Sequence, residues 1–357
     1  MTHNDTAGPG GSPQATAPGA GRDAPRASSG PLCTTYDAAL LDLDGVVYLG
    51  GKAIPGAAQA LGQAAQAGMR LAYVTNNASR TPAAVAQILT GMGMPAQPSD
   101  VVTSAQAAAR LLAERLPAGA PVLVIGGMGL RVALRERGLR PVSTAAAQPA
   151  AVVEGFAPQV DYSALAQGGL AVRAGALFVG TNADLTIPNA QGIAPGNGSL
   201  LQVIKTATGQ TPVIAGKPEP PLHHESVIRT GAKHPLVVGD RLDTDIEGGV
   251  RAGAASLLVF TGVARPQDAV LAGPQQRPTY LAADLAGLLA PHPPIATSRG
   301  AFRCGGWTAH RPDGESPLVM EGSGDAIDGL RALCAAAWSA GHVTPEMISP
   351  ALAALAG

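Results

Sequence analysis

From residue 34 onward, short apolar runs alternate with longer stretches of helical period. The runs at 38–41, 69–74, 122–125, 151–153, 176–179, 213–215, 236–238 and 256–260 read as strands. Between them, 57–67, 82–91, 104–116, 162–174, 199–208 and 246–252 carry apolar residues at helical spacing and predict helices. Strand and helix taking turns predicts an α/β fold: a Rossmann-like, doubly wound parallel sheet. The alternation across 122–208 is read as a second α/β unit inserted into the first. From about residue 291 the pattern changes. Strands near 302–308 and 318–321 precede helices near 325–340 and 345–356, a small α+β extension. The expected division is a tail at 1–33, a core at 34–106, an insert at 107–211, the rest of the core at 212–290 and the extension at 291–357.

Composition narrows the picture. Residues 1–33 are Gly, Pro, Ala, Ser and Thr with scattered charges, too little apolar material to offset ordering entropy, and predict a disordered tail. No basic segment leads into an apolar one, so no signal peptide is expected there. With 357 residues, 46% of them hydrophobic, the chain can bury a sizeable core. A net charge of −1 carries no global signature for nucleic acid or an anionic membrane, and no apolar run is long enough to span a bilayer. The three cysteines, Cys33, Cys304 and Cys334, are widely spaced and odd in number. They suggest neither a disulfide framework nor a zinc site, and a reducing cytoplasm is the expected setting.

Chemistry gathers where apolar runs stop. Leu40 and Leu41 run into Asp42, with Asp44 two positions on and Gly45 behind it. Side chains two apart on a strand share a face, and two carboxylates that close call for a cation or a retained proton. A plain Asp-Gly turn explains the same letters. The run 69–74 ends in Thr75-Asn76-Asn77-Ala78-Ser79-Arg80, whose hydroxyls, amides and backbone N–H groups suit an anion. The same letters also suit a capped strand-to-helix turn. Lys217 is pinned between Gly216 and Pro218, and Asp240 and Asp245 follow the run 236–238. If the four strands are parallel in one sheet, these groups meet at its carboxyl edge, where open α/β folds bind ligands. The set offers oxygen ligands for Mg²⁺ and donors for a phosphate. Two other clusters are read as structural. Gly126-Gly127-Met128-Gly129 lacks the dinucleotide spacing and its downstream acid. His223-His224-Glu225 are adjacent on a helix and point in different directions.

DLDGVVYLG, VTNNASR, AGKPEP and VVGDRLDTDIEGG, in that order, resemble the four motifs of the haloacid dehalogenase superfamily of phosphatases. The long insert between the second and third motifs resembles its C2-capped, NagD-like branch (HAD-IIA). The C-terminal extension is similar in layout to that of actinobacterial glycerol-3-phosphate phosphatases. The resemblance implies that Asp42 is a nucleophile forming an aspartyl-phosphate, and that Asp44 is the acid and then the base. It implies Mg²⁺ on Asp42, the Asp44 carbonyl and Asp240, with Asp245 acting through water. Thr75, the Asn76 backbone and Lys217 would hold the phosphate, and Lys217 would also offset the charge of Asp42. Substrate choice would lie in the insert, with Asn182, Asp184 and Ile187 as candidates. Ile187 stands where pyridoxal-phosphate phosphatases have a histidine, which argues against that substrate.

The expected activity is therefore Mg²⁺-dependent hydrolysis of a small phosphate ester, best matched by glycerol 3-phosphate. Phosphoglycolate, 4-nitrophenyl phosphate, a nucleotide or pyridoxal phosphate are alternatives. A phosphotransferase or a phosphometabolite-binding module are the non-hydrolase readings. No nucleic-acid or membrane partner is expected. The extension is read as a dimer contact, a lid or a decayed acyltransferase-like piece, and a homodimer is among the expected assemblies.

Overall fold

The computed structural model describes residues 23–356 apart from 190, 312, 313 and 315. Six parallel strands form the main sheet, in the order Tyr280–Ala282, Ala255–Val259, Pro235–Gly239, Ala38–Leu41, Arg70–Thr75, Val101–Thr103. Ala38–Leu41 is central and all four of its residues are buried. A strand covered on both faces has no polar side to alternate with, hence its unbroken apolar run. Leu41 stands level with Val238 and Tyr73. The residues that follow these three strands therefore leave the sheet side by side at its carboxyl edge.

A second parallel sheet has the order Val213–Ile214, Leu177–Gly180, Ala151–Glu154, Pro121–Ile125, Arg140–Val142. This corrects the expectation that four strands of one sheet deliver the site. The strand preceding Lys217 pairs with Leu177–Gly180 of the second sheet, and only the chain after it crosses to the main one. The 211/212 division would cut Val213–Ile214 from its sheet, and the 106/107 division falls inside the continuous helix Ser104–Ala113. That helix belongs to an apolar cluster shared by both sheets. Leu40, Val74 and Val102 from the main sheet meet Leu112, Val122, Val124, Val153 and Ala215 in one continuous packing unit.

The crevice at the carboxyl edge of the second sheet, beside its central strands, is filled by the loop after Arg70–Thr75. Ala78 is buried there. The Gly129 N–H donates to the Ser79 carbonyl (3.1 Å), and a Cβ at Gly129 would collide with the carbonyls of Ala78 and Arg80. Close backbone approach is thus what these glycines serve, at the start of the helix Met128–Glu136.

The C-terminal extension is a four-stranded antiparallel sheet, Ala296–Ser298, Ala301–Cys304, Trp307–His310, Val319–Gly322, backed by helices Ala326–Ala340 and Pro345–Ala356. The single strand expected near 302–308 is two strands, because Gly305 (φ 55°) and Gly306 turn the chain back between them. Leu330, Leu333, Trp338 and Ile348 join Ile246, Leu258 and Leu281 of the main sheet's flank in one cluster. Part of the expected tail is also ordered. Arg26 donates its N–H to the Thr279 carbonyl (2.8 Å), Ser28 to the His292 carbonyl (2.9 Å), and Leu32 and Cys33 are buried. This strap runs beside the edge strand Tyr280–Ala282, held by these main-chain bonds and by the buried side chains of Leu32 and Cys33. Residues 1–22 of the expected tail lie outside the described residues. No helix is long and apolar enough to cross a membrane among the described residues.

Candidate active site

Asp42 leaves the central strand with its N–H bonded to the Val238 carbonyl (2.9 Å). Gly45 adopts φ 88°, and a side chain there would strike the Asp240 carboxylate. The glycine of the first motif therefore makes room for an acid of the last. The Gly45 carbonyl accepts from Thr261 Oγ1 (2.5 Å), and Val263 N–H donates to Asp240 Oδ2 (2.7 Å). Asp245 lies in a π-helical turn, Leu242–Ile246, and its Oδ2 accepts from the Arg241 N–H (3.2 Å). Arg241 itself turns to Asp243 (2.8 Å).

Lys217 closes the cluster from the other sheet. Its side chain is 4% exposed, and Nζ bonds Asp42 Oδ1, Asp245 Oδ1 (2.7 Å) and the Val74 carbonyl (3.3 Å). Burial alone would lower its pKa, but the Asp245 and Asp42 carboxylates hold the ammonium above its ordinary range. Burial, with Asp245 and Asp240 nearby, drives Asp42 upward against the pull of Lys217. Burial likewise pushes Asp240 up to about 6, with Asp245 adding to it. Asp44 is raised by burial and partly restored by backbone N–H groups of Gly50 and Gly45.

Oxygens of Asp42, Asp240 and Asp245 lie within 4.8 Å of one another. Asp240 Oδ1 is buried without a hydrogen-bond partner. Three carboxylates around one lysine leave a surplus of negative charge, and an orphaned buried oxygen is costly. A hard cation with oxygen ligands fits both observations.

Thr75 Oγ1 accepts from the Asn77 N–H (3.1 Å). Beside it the Asn76 side chain pairs with the backbone of Lys217, accepting from its N–H (2.8 Å) and donating to its carbonyl (3.2 Å). A cleft of about 120 Å³ opens next to these loops, lined in part by Asn76, Phe156, Asp184, Ile187 and Asn197. The three expected substrate-facing residues divide. Asp184 and Ile187 border the cleft half-buried, and burial raises the Asp184 carboxyl. Asn182 also borders it, but its side chain is engaged locally, donating to the Asn76 carbonyl (2.8 Å) and accepting from the Asp184 N–H (3.2 Å). Sequence reasoning missed Ser104, whose hydroxyl reaches the same Asn76 carbonyl (2.6 Å), and Thr261. Thr261 had a signal: like Thr75, it directly follows an apolar run, 256–260. The His223-His224-Glu225 triplet is dispersed, with His223 buried, His224 exposed and Glu225 held by Arg110, Arg137 and Arg229.

Residues 39–140 match the model of the haloacid dehalogenase-like hydrolases, and 214–288 a second model of HAD-hydrolase-like proteins. The chain is 44% identical over 316 residues to a D-glycerol 3-phosphate phosphatase of Mycobacterium tuberculosis, covering 87% of this chain and 88% of that one. The chain belongs to the haloacid dehalogenase-like hydrolases. A second member, an acid sugar phosphatase of Staphylococcus haemolyticus, is 39% identical over 70% of this chain and 94% of its own. Among solved structures of the family, the glycerol phosphate phosphatase of M. tuberculosis in complex with magnesium superposes with a TM-score of 0.78 at 43% identity, over 87% of this chain and 92% of that one. Residues 304–356, in the extension, match a GCN5-related N-acetyltransferase like domain. The α/β architecture expected from the strand–helix alternation is that of these hydrolases.

Proposed function

We propose that the chain is a Mg²⁺-dependent phosphomonoester hydrolase whose substrate is glycerol 3-phosphate. The observation that carries this reading is Lys217, delivered from the second sheet and buried between Asp42 and Asp245 with Asp240 beside them. Asp42 and Asp240, with the Asp44 carbonyl and Asp245 behind them, would hold the ion. When bound, Mg²⁺ supplies positive charge against the phosphate oxygens and the Asp42 carboxylate.

The side chains perform the rest. The Thr75 hydroxyl, the Asn76 N–H and the Lys217 ammonium hold the phosphoryl oxygens, with Asp42 in line behind phosphorus. An Asp42 oxygen forms the new P–O bond as the ester P–O bond breaks, and Asp44 gives its proton to the departing alkoxide. Asp44, now a carboxylate, takes a proton from water. The water attacks phosphorus, phosphate leaves and Asp42 is restored. Lys217 stabilises the negative charge throughout, at a point shielded from solvent. The 44% identity to the mycobacterial glycerol 3-phosphate phosphatase, over 87% of this chain, supports the choice of ester.

The test is phosphate release from glycerol 3-phosphate, phosphoglycolate, pyridoxal 5′-phosphate and a nucleoside monophosphate, with and without Mg²⁺. Wild type should release phosphate only with Mg²⁺ and fastest from glycerol 3-phosphate, and Asp42→Asn should release none. A different preferred ester would overturn the substrate. Phosphate passing to an added alcohol instead of water would overturn the hydrolase.

A further inference from the structure

Five bonds to residues outside its own loop converge on Asn76 from both connections between the sheets and from the loop over the cleft. Its carbonyl accepts from Ser104 Oγ (2.6 Å), at the start of the helix that leads out of the main sheet. It also accepts from Asn182 Nδ2 (2.8 Å), in the loop after the strand Leu177–Gly180 of the second sheet. Its side-chain amide accepts from the Lys217 N–H (2.8 Å) and donates to the Lys217 carbonyl (3.2 Å), at the return connection. Nδ2 also reaches Asp184 Oδ2 (3.3 Å), on the cleft wall. The orientation of this amide is fixed by its partners, because only its nitrogen can donate to a carbonyl and only its oxygen can accept from an N–H.

We propose that the Asn76 side chain is a positioning residue that sets the backbone of Lys217 and the Asp184 wall together, so that the lysine reaches Asp42 only when the second sheet's loop is seated over the cleft. A phosphate ligand needs nothing from this amide side chain, since the backbone N–H of Asn76 can serve it. The amide instead ties the lysine's main chain to a residue that faces the leaving group. Among the described residues no other side chain bonds the Lys217 main chain, and a Cβ at its neighbour Gly216 would collide with the same Asn76 Oδ1. The inference rests on the reading of Lys217 as catalytic, and its test separates the two.

Three variants and two readouts decide it. Asn76→Ala removes the amide, and Asn76→Asp keeps an acceptor for the Lys217 N–H but turns carboxylate oxygen toward Asp184 and the Lys217 carbonyl. Asn76→Asp with Asp184→Asn reverses the pair, the new amide donating to the new carboxylate. The first readout, amide hydrogen exchange, needs no activity. In Asn76→Ala, exchange should rise at least tenfold at the Lys217 amide and across residues 181–187 together, with helix Ala326–Ala340 unchanged. The second is steady-state kinetics on glycerol 3-phosphate. Asn76→Ala should lose roughly 100-fold in kcat, the scale of a misplacement near one ångström, with KM moving far less. The double variant should recover at least tenfold of the kcat lost by Asn76→Asp alone. Unchanged exchange at Lys217, or exchange that rises there without residues 181–187, would overturn the coupling whatever the activity. Coupled exchange with additive kinetics would overturn the positioning role. Wild type inert toward every ester, with coupled exchange intact, would overturn the catalytic reading while leaving the coupling standing.

Discussion

Two buried ionisable residues, used in opposite ways, mark the residue scale. Lys217 is charged and surrounded by carboxylates. Removing one partner of such a group leaves the others uncompensated in a dry site. Lys217→Ala should abolish phosphate release and cost about 3–5 kcal/mol, the usual penalty for breaking a buried pair, read as a lower denaturation midpoint. Added Mg²⁺ should restore part of that stability, because it supplies the missing positive charge, but none of the activity. Glu154 is the converse. It is fully buried at the end of Ala151–Glu154, neither carboxylate oxygen has a hydrogen-bond partner, and burial pushes its pKa up to about 8. The folded state therefore keeps a proton that the unfolded chain releases near the ordinary glutamate value of 4.5. Its contribution to stability is whole below that value, declines as pH rises toward about 8, and is flat beyond. Each displaced unit is worth about 1.4 kcal/mol. Urea midpoints of wild type and Glu154→Gln measured from pH 4.5 to 8 should diverge, wild type losing more stability than the variant, whose remaining slope comes from Asp42 and Asp240. Parallel curves would show Glu154 ionised or solvated.

At the scale of elements, the junction between the sheets is made of backbone as much as of side chains. Gly129→Ala places a methyl group against the carbonyls of Ala78 and Arg80. It should cost about 1–3 kcal/mol, as overpacking in a filled site does, and should appear in the thermal midpoint. Legibility in the sequence followed the same division. Asp42, Thr75 and Asp240 could be read because each ends an apolar run of a central parallel strand, and the run and its polar end lie together in the chain. The partner of Val213–Ile214 could not be read. Two apolar residues look the same in either sheet, and the choice rests on pairing with Leu177–Gly180, set by contacts distant in sequence. The hairpin of Thr186–Asn189 with Gly192–Pro195, beside the cleft, was hidden by Pro188, Gly192 and Pro195, which read locally as loop. The strap at 23–33 was hidden by composition, since its order comes from bonds to Thr279 and His292.

At the scale of the whole molecule, the C-terminal extension is part of the main sheet's flank. Trp338 Nε1 donates to the Ala269 carbonyl (3.1 Å), and buried Arg331 spans Asp328, the Leu281 carbonyl (2.6 Å) and His292 (3.1 Å). Ile246, in the same apolar cluster, directly follows Asp245. Deleting residues 292–357 should therefore bare a continuous apolar face, and the product should aggregate or lose its Mg²⁺-dependent activity. A monodisperse truncated protein with unaltered kinetics would sink that expectation. The crossing at Lys217 carries a further consequence, for exchange of parts among relatives. A chimaera spliced just before Val213 would take the loop over the cleft from one parent and, from the other, Lys217 together with the strand before it, which is built to pair with that loop's own sheet. Only a graft that carries Val213–Ile214 and Lys217 with the donor's second sheet, and matches Asn76 to them, keeps Asp42 and Lys217 in register. In such a graft the second sheet travels with the residue that bonds Asp42.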